Sequence, residues 1–348
     1  MINIQVPLTM MAVASLFVQA GVPPGVFQTV NGTVACCTAL ISSPSVSAVT
    51  FVGSSPIAGA VAASCRALNK RALALGGAKN HLVALPDCAA ADAARDIVAS
   101  FAGAAGQRCM AASVLLVVGE GPAQGDLVER VVAIAAEIKL GQAAGEMGPV
   151  IDGASRAKIL RYIEESEKGG AEILLDGRIA DDRDDAPTSS GFWIKPTIIL
   201  HGSREDRALH DEIFGPVLSV LKVASWQEAI EIENASPFGN AACIYTSKGG
   251  SADWFASRFR AGMLGVNVGV PVPREPFSFG GLCGTESKYG DFDITGDGAV
   301  EFFSNRIKVT TKWPAVEDEP LFKKARSGEG GEGGREGPVD QANFNGRM

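Results

Sequence analysis

The sequence predicts an α/β protein whose sheets are doubly wound, mostly parallel and arranged in two domains. Short β-prone runs alternate with helix-like segments along most of the chain, which is the order that parallel sheets require. A chain of 348 residues is long enough for about two domains with substantial cores. The composition is rich in alanine, valine, leucine and glycine, as is typical of soluble α/β proteins.

Hydrophobic spacing and breaker residues place the elements in order along the chain. The predicted helices span residues 8–19, 33–40, 57–69, 89–101, 125–139, 154–167, 226–234 and 252–260. The predicted strands span residues 26–30, 46–52, 72–75, 81–85, 113–118, 171–175, 192–200, 217–223, 241–246, 264–268 and 306–313. Asp87 is expected to cap the helix at 89–101, and Ile159, Tyr162 and Ile163 are expected to form the apolar face of the helix at 154–167.

Two loops and the C-terminal end depart from this alternation. Residues 181–190 form a polar, acidic surface loop, and the glycine-rich loop at 271–281 is expected to expose Phe277 and Phe279. After Pro314 an acidic stretch and a short basic cluster lead into a glycine- and glutamate-rich repeat. Because such a composition cannot bury a core, we expect a disordered tail.

The N-terminal region contains no charged side chain before Arg66. Residues 6–20 are apolar, but they lack the basic residues of a signal peptide and the arginines of a transit peptide. They are also shorter and more polar than the ~20 apolar residues that cross a bilayer. We therefore expect a core helix, no targeting signal and no membrane segment, and a chain that begins within a domain.

Charge and cysteine content exclude several classes of function. The formal net charge is -8 and there is no basic stripe, which argues against a nucleic-acid partner. The seven cysteines lack the spacing of zinc ligands and only three histidines are present, so no metal site is expected. An odd, dispersed set of cysteines without a secretory signal indicates free thiols in a reducing compartment.

The residues that point to chemistry lie at 103–110, where glycines precede a glutamine, an arginine, a cysteine and a methionine. A positive charge beside a thiol favours the thiolate, so Cys109 next to Arg108 is a candidate nucleophile. The alternative is that Cys109 is a buried small hydrophobe. Gly53 and Ser54 stand between a strand and a helix, a layout that suits phosphate, although the GxGxxG pattern is absent.

Several segments, in this order and with compatible spacing from about residue 5 to 313, resemble the aldehyde dehydrogenase superfamily. They are Phe51-Val52-Gly53-Ser54, Gly77-Ala78-Lys79-Asn80-His81, Gly106-Gln107-Arg108-Cys109-Met110 and Glu212-Ile213-Phe214-Gly215-Pro216-Val217. The details resemble one branch, the CoA-acylating methylmalonate-semialdehyde dehydrogenases. These details are the GQRCM and AKNH forms, Val266-Asn267, Pro271-Val272-Pro273 and Pro276-Phe277-Ser278-Phe279.

The resemblance implies a role for each candidate residue. Cys109 would attack the aldehyde carbonyl, and the resulting thiohemiacetal would lose a hydride to NAD. Arg108 would hold the substrate carboxylate; the alternative is a surface arginine.

The implied NAD site uses residues from two parts of the chain. Gly53 and Ser54 would lie near the cofactor phosphates, Glu212 would hold the nicotinamide ribose, and Phe214 would lie beside the nicotinamide. The alternatives are an ordinary solvated acid at 212 and a core aromatic residue at 214.

The second half-reaction depends on position 75. Hydrolytic relatives place a general-base glutamate 34 residues before the nucleophile, where this chain has Leu75. Because leucine cannot activate water, the resemblance implies transfer of the acyl group to coenzyme A. Malonate or methylmalonate semialdehyde would give acetyl-CoA or propionyl-CoA after loss of carbon dioxide, as in valine and pyrimidine catabolism.

The resemblance also implies a domain plan. Residues 1–80 would be the remaining half of the NAD-binding domain, 81–300 the catalytic domain, 301–315 an oligomerisation strand and 316–348 a disordered tail. Relatives are longer at the N-terminus by over a hundred residues, a part that supplies an oxyanion asparagine and a lysine for the adenosine ribose. We therefore expect a truncated family member, and loss of one oxyanion donor costs ~100-fold in rate.

Three hypotheses remain open at this point. The first is an NAD-dependent, CoA-acylating semialdehyde dehydrogenase that forms a homo-oligomer through residues 306–313. The second is a catalytically weak paralogue that acts as an oligomer or interaction subunit. The third is a generic thiol-dependent acyltransferase. Relatives work in the mitochondrial matrix or the bacterial cytoplasm, so a mitochondrial or cytoplasmic location is expected.

Overall fold

A computed structural model describes residues 2–3, 6–119, 122–178 and 191–313. The chain divides into two units, Met1–Ser304 and Asn305–Met348, and the described helices and strands all lie in the first. The described strands are β1 (Ile2–Asn3), β2 (Asn31–Gly32), β3 (Ala48–Val52), β4 (Arg71–Leu75), β5 (Asn80–Ala84), β6 (Ala112–Val118), β7 (Glu172–Leu175), β8 (Thr197–His201), β9 (Val217–Val223), β10 (Ala241–Tyr245), β11 (Met263–Val266) and β12 (Lys288–Gly290). The described α-helices are α1 (Pro7–Gln19), α2 (Val34–Ser42), α3 (Ser55–Ala67), α4 (Ala90–Ala102), α5 (Pro122–Ala136), α6 (Gly153–Lys168), α7 (Trp226–Ala235), α8 (Gly249–Ala256) and α9 (Gly296–Phe303).

In the described residues these strands form three sheets. The largest has seven strands in the order β11-β10-β5-β6-β9-β8-β7, and all neighbours are parallel except β7 and β8 at one edge. A three-stranded sheet has the order β12-β4-β3, in which β3 and β4 are parallel and β12 is antiparallel. β1 and β2 form a short parallel pair. The predicted mostly parallel α/β fold is therefore confirmed.

Helices cover both faces of the seven-stranded sheet. On one face α4, α5 and α6 bury residues such as Ile97 and Ile159 in one cluster with Leu115 of the central strand β6. On the other face α7 and α8 pack in a second cluster, where Phe255 and Leu116 are both fully buried. Adjacent residues of β6 thus point into opposite cores, which is the doubly wound arrangement.

Most predicted elements are confirmed to within a few residues, including the buried apolar face of α6, but two strand predictions need correction. Residues 26–30 form no strand; Asn31–Gly32 pairs instead, and Val26 is 72% exposed. The strand predicted at 192–200 begins only at Thr197. It follows Pro196, which lacks the N–H that a strand ladder needs.

β12 and α9, which complete the small sheet and its core, were not predicted from the sequence. α9 begins in a glycine-rich turn and buries Phe302, so the strand predicted from residue 301 is wrong for 301–303. Residues 305–313 carry no helix or strand in this single chain. A strand needs a hydrogen-bonding neighbour, so pairing with a second copy stays a prediction.

Two side-chain predictions are also corrected. The carboxylate of Asp87 does not cap α4; it accepts hydrogen bonds from the Thr246 hydroxyl at 3.0 Å and the Ser247 N–H at 3.1 Å, joining the ends of β5 and β10. Phe277 is exposed as predicted, but Phe279 is half-buried against two apolar clusters. The loop at 181–190 and the tail lie outside the described residues.

The N-terminal helix α1 differs from the expected core helix. It has no buried residue, and Leu8 and Val18 are 82% and 73% exposed. The neighbouring strands β1 and β2 contain two residues each and offer little surface to cover it. A search of the described residues found no helix with the length and apolar character needed to span a membrane.

Candidate active site

The candidate site lies where the small sheet meets the amino ends of strands in the large sheet. Cys109 precedes β6, Glu212 and Phe214 precede β9, and Gly53 and Ser54 follow β3. β6 and β9 are neighbours, so the loops at their amino ends come together. One cleft is lined by all five of these predicted residues.

The Cys109 thiol sits in a turn closed by a hydrogen bond from the Ala111 N–H to the Arg108 carbonyl, at 3.0 Å. The thiol is half-buried and free. Burial raises the pKa of Cys109, the nearby charge of Glu212 raises it further, and the charge of Arg108 opposes these effects only weakly. The expected effect of Arg108, which favours the thiolate, is therefore outweighed by desolvation of the thiol.

The guanidinium of Arg108 folds back toward the end of α4. Its Nη2 donates to the carbonyls of Ala99 at 2.8 Å and Ser100 at 2.7 Å. A Cβ at Gly103 would come within 2.6 Å of this nitrogen, so the glycine leaves the room that Arg108 needs. Nε is buried and has no hydrogen-bond partner among the described residues. Arg108 lines a small cavity beside Cys109 and is not a free surface arginine.

The loop that carries Cys109 is fitted against the loop that carries Phe214. Gly106 has a φ of +67°, and a Cβ there would lie 2.1 Å from the Gly215 carbonyl oxygen, so only glycine fits. The Gln107 Oε1 accepts from the Ile151 N–H at 2.9 Å, and its Nε2 lies 3.4 Å from the Phe214 carbonyl. Gly106 thus lets the two loops approach each other closely.

The carboxylate of Glu212 rests on the backbone that follows β4. Its Oε1 accepts from the Ala78 N–H at 2.9 Å, and a Cβ at Gly77 would lie 2.6 Å from Oε2. Burial raises the pKa of Glu212, while the Ala78 N–H and the charges of Lys158 and Lys79 lower it. Glu212 is thus a held, half-buried group and not a solvated acid.

Two lysines, for which no role was predicted from the sequence, hold the backbone on either side of Glu212. Lys79 Nζ donates to the carbonyl of Asp211 at 2.8 Å, and Lys158 Nζ donates to the carbonyl of Glu212 at 2.7 Å. Lys79 is 3% exposed, and burial lowers the pKa of its amine to about 7. The negative charges of Glu212 and Asp211 raise the pKa but only partly offset burial. Lys79 could have been noticed as a charged residue between two β-prone runs.

Phe214 and the Gly53–Ser54 turn complete the cleft. Phe214 has a φ of +59°, which a bulky residue adopts only at a cost of about 1–3 kcal/mol. Its ring is 39% exposed, so it is not a core aromatic residue. Gly53 donates to the Leu75 carbonyl at 3.1 Å. Ser54 is exposed at the N-cap of α3, whose first N–H groups lack helical acceptors.

Two asparagines, at the beginning of β5 and just before β10, hold the loop that carries Cys109. The side-chain amides of Asn80 and Asn240 donate to the Cys109 carbonyl at 2.8 Å and 3.0 Å. Asn80 belongs to a segment noted in the sequence, whereas nothing in the sequence distinguished Asn240. Among the described residues no group of three or more His, Cys, Asp or Glu could hold a metal ion.

Comparison with known proteins gives consistent results. The sequence profile of the aldehyde dehydrogenase family matches residues 3–309. Malonate-semialdehyde dehydrogenase 1 of Geobacillus thermodenitrificans is 43% identical over 310 residues, covering 88% of this chain and 62% of that protein. The crystal structure of methylmalonate-semialdehyde dehydrogenase from Oceanimonas doudoroffii superposes with a TM-score of 0.84 at 38% identity, covering 89% of this chain and 63% of that one.

A second solved structure bears on the cofactor. A Sinorhizobium meliloti 1021 protein assigned to the methylmalonate-semialdehyde dehydrogenases, crystallised with NAD, superposes with a TM-score of 0.85 at 34% identity. It covers 90% of this chain and 63% of that chain. The chain therefore spans somewhat less than two thirds of the length of the relatives and solved structures it matches.

Proposed function

This chain belongs to the aldehyde dehydrogenase family, and we propose that it works as an NAD-dependent, CoA-acylating dehydrogenase of malonate or methylmalonate semialdehyde. The observation that carries the proposal is the single cleft onto which Cys109, Glu212, Phe214 and the Gly53–Ser54 turn all open. Relatives named malonate-semialdehyde dehydrogenase support the substrate class. The neighbour crystallised with NAD supports the cofactor.

The residues of the cleft suit a dinucleotide. The N-terminus of α3 behind Ser54 offers backbone N–H groups and a positive dipole end, which favour phosphate. The half-exposed ring of Phe214 offers an apolar surface for a nicotinamide. Glu212 has one oxygen bound to Ala78 and a second above Gly77, and it would accept from ribose hydroxyls. NAD, when bound, supplies the acceptor for the hydride of the substrate.

The chain's own chemistry centres on Cys109. Its sulfur adds to the aldehyde carbon, the carbonyl electron pair moves to oxygen, and a thiohemiacetal forms. The thiohemiacetal then loses a hydride from carbon and a proton from oxygen, which leaves a thioester on Cys109. Arg108 lines the small cavity beside Cys109 and would pair with the substrate carboxylate until that group leaves as carbon dioxide. The electron pair of the broken C–C bond stays on the carbon next to the thioester, which takes up a proton from water.

The thioester is then released to coenzyme A. At position 75, where a hydrolytic enzyme would carry its general base, Leu75 is 5% exposed inside an apolar cluster. No carboxylate at this position can activate water, so the thioester persists until the thiol of coenzyme A adds to it. The Cys109 thiolate then leaves, and the products are acetyl-CoA or propionyl-CoA.

The test is NAD reduction by the purified chain with malonate semialdehyde and coenzyme A, beside Cys109→Ala. We expect turnover that needs coenzyme A and forms acyl-CoA, and no turnover in Cys109→Ala. Cys283→Ala removes an exposed thiol and serves as the matched control, with unchanged turnover. Equal turnover in the Cys109→Ala protein would overturn the mechanism. A folded chain that shows no turnover would instead support the alternative, a weak paralogue that acts as an oligomer subunit.

A further inference from the structure

Two buried asparagines from adjacent strands meet at one backbone oxygen, the carbonyl of the candidate nucleophile. Asn80 and Asn240 are 4% and 8% exposed, and their Nδ2 atoms lie 2.8 Å and 3.0 Å from the Cys109 oxygen. We infer that Asn80 and Asn240 are positioning residues that fix the Cys109 peptide and thereby aim its thiol into the cleft. This inference rests on the proposed role of Cys109.

The orientation of the Asn80 amide is set by bonds on both of its ends. Its Nδ2 donates to the Ala111 carbonyl at 2.8 Å as well as to Cys109. Its Oδ1 accepts from the Ala241 N–H at 3.2 Å and lies 3.3 Å from Asn240 Nδ2. Because donor and acceptor ends face different partners, a flipped amide would lose the whole set.

The strand pairing beneath the loop also directs Asn80 to this place. β5 and β6 change register after their first pair, since Asn80 lies opposite Ala112 and His81 lies opposite Val114. β6 thus contributes one extra residue, Ser113, as in a β-bulge. Such irregularities re-aim side chains next to functional sites. The pairing of β5 with β6 is therefore irregular at Asn80, the residue that binds the loop carrying Cys109.

The chain around Cys109 has little regular structure of its own to hold it. Cys109 and Met110 are the central residues of the turn closed by Ala111 N–H and the Arg108 carbonyl. The Cys109 carbonyl takes no part in this closing bond; it accepts instead from the side-chain amides of Asn80 and Asn240. Without them, a rotation of the Cys109 peptide would carry the half-buried thiol with it.

Thiol reactivity measures this role directly and needs neither NAD nor substrate. The full chain is treated with iodoacetamide over a range of pH, and the rates for the Cys109, Cys243 and Cys283 peptides are followed by mass spectrometry. The variants are Asn80→Leu, Asn80→Ser, Asn240→Leu and Asn240→Ser, none of which adds a charge.

Each Leu variant should raise the Cys109 alkylation rate about fivefold, the effect expected when one buried hydrogen bond no longer holds the loop closed. Each Ser variant should give a smaller rise. The pH profile of Cys109 should also shift toward that of an ordinary exposed thiol. Exposed Cys283 and buried Cys243 should react at unchanged rates, because each lies on a different segment from the loop that carries Cys109.

The control is Asn234→Leu. The Asn234 amide also donates to a backbone carbonyl, that of Arg258 at 2.9 Å, but on helix α7. This variant should leave the Cys109 rate unchanged. Unchanged Cys109 rates in both Leu variants would overturn the inference, and so would a parallel rise at Cys243, which reports general loosening. A chain without dehydrogenase activity would still give either result, so this test and that of the proposed function fail independently.

Discussion

The ammonium group of Lys158 donates a hydrogen bond of 2.7 Å to the backbone carbonyl of Glu212. Lys158 lies on α6 and lines the cleft, whereas Glu212 lies in the loop before β9. Together with Lys79, which binds the preceding carbonyl, it fixes the backbone at the point where the Glu212 side chain turns toward Gly77. The carboxylate proposed to bind ribose is therefore positioned through its own main chain.

Replacing Lys158 by methionine should weaken NAD binding roughly three- to tenfold. A hydrogen bond from a charged group contributes about 1.5–3 kcal/mol when buried, and the half-exposed position of Lys158 reduces this value. The measurement is NAD titration by calorimetry. Lys168→Met is the matched control on the same helix. The Lys168 side chain is 80% exposed, and its ion pair with Glu164 is long, with Nζ 4.0 Å from the carboxylate oxygen. Equal affinities for Lys158→Met and wild type would contradict this role.

Substitution of Arg108 separates its two possible roles. If it holds the substrate carboxylate, Arg108→Met should raise the KM for malonate semialdehyde about tenfold or more and leave the KM for propanal, which has no carboxylate, unchanged. If Arg108 only holds the Ala99 and Ser100 carbonyls, the KM values of both substrates should change to the same extent. Steady-state kinetics with the two aldehydes decides between these outcomes, with Arg95→Met, an exposed arginine on α4, as the control.

The mostly parallel sheets and most of the residues that line the cleft could be predicted because they follow from local patterns. Alternating apolar runs gave the strands, and the Cys109 and Glu212 segments each carry several distinctive residues in a row. Asn240 could not be found in this way. Its importance arises only when β10 is placed beside β5, which brings its amide to a carbonyl 131 positions earlier in the chain.

Two of the errors have the same origin, because each concerns a choice between local and distant partners. Asp87 has the position of a helix cap, yet its carboxylate is used by Thr246 and Ser247 at the end of β10. The charge of Arg108 adjoins Cys109 in sequence, but its guanidinium turns to the end of α4, and burial outweighs its effect on the thiol.

Glu233 should make the stability of the fold depend on pH. Glu233 is 2% exposed on α7, and burial raises the pKa of its carboxyl to about 7. The hydrogen bond that its Oε2 accepts from the Arg260 N–H, at 3.1 Å, lowers the pKa but does not offset burial. Since the pKa in the folded state is above that in the unfolded state, the neutral form stabilises the fold at low pH. This contribution is lost as the pH rises from about 4.5 to 7.

Glu233→Gln should therefore be more stable than the wild type at pH 8, by on the order of 2–3 kcal/mol, and should unfold at a higher temperature. The difference should be small near pH ~4, below the unfolded-state pKa. Thermal unfolding at the two pH values measures it. Glu231→Gln, an exposed position on the same helix, should show no pH-dependent difference. A Glu233→Gln protein that is less stable at pH 8 would contradict the cost assigned to burial.

Residues 306–313 should join two copies of the chain. Apolar side chains alternate with polar ones there, and Ile307 and Val309 are 85% and 81% exposed in the single chain. In a strand these two side chains would share one face, and pairing with a second copy would bury them. We expect a homo-oligomer in light scattering and a monomer for Ile307→Asp combined with Val309→Asp. Thr310→Asp, which adds a charge to the opposite face, should keep the oligomer, and a wild-type monomer would refute the prediction.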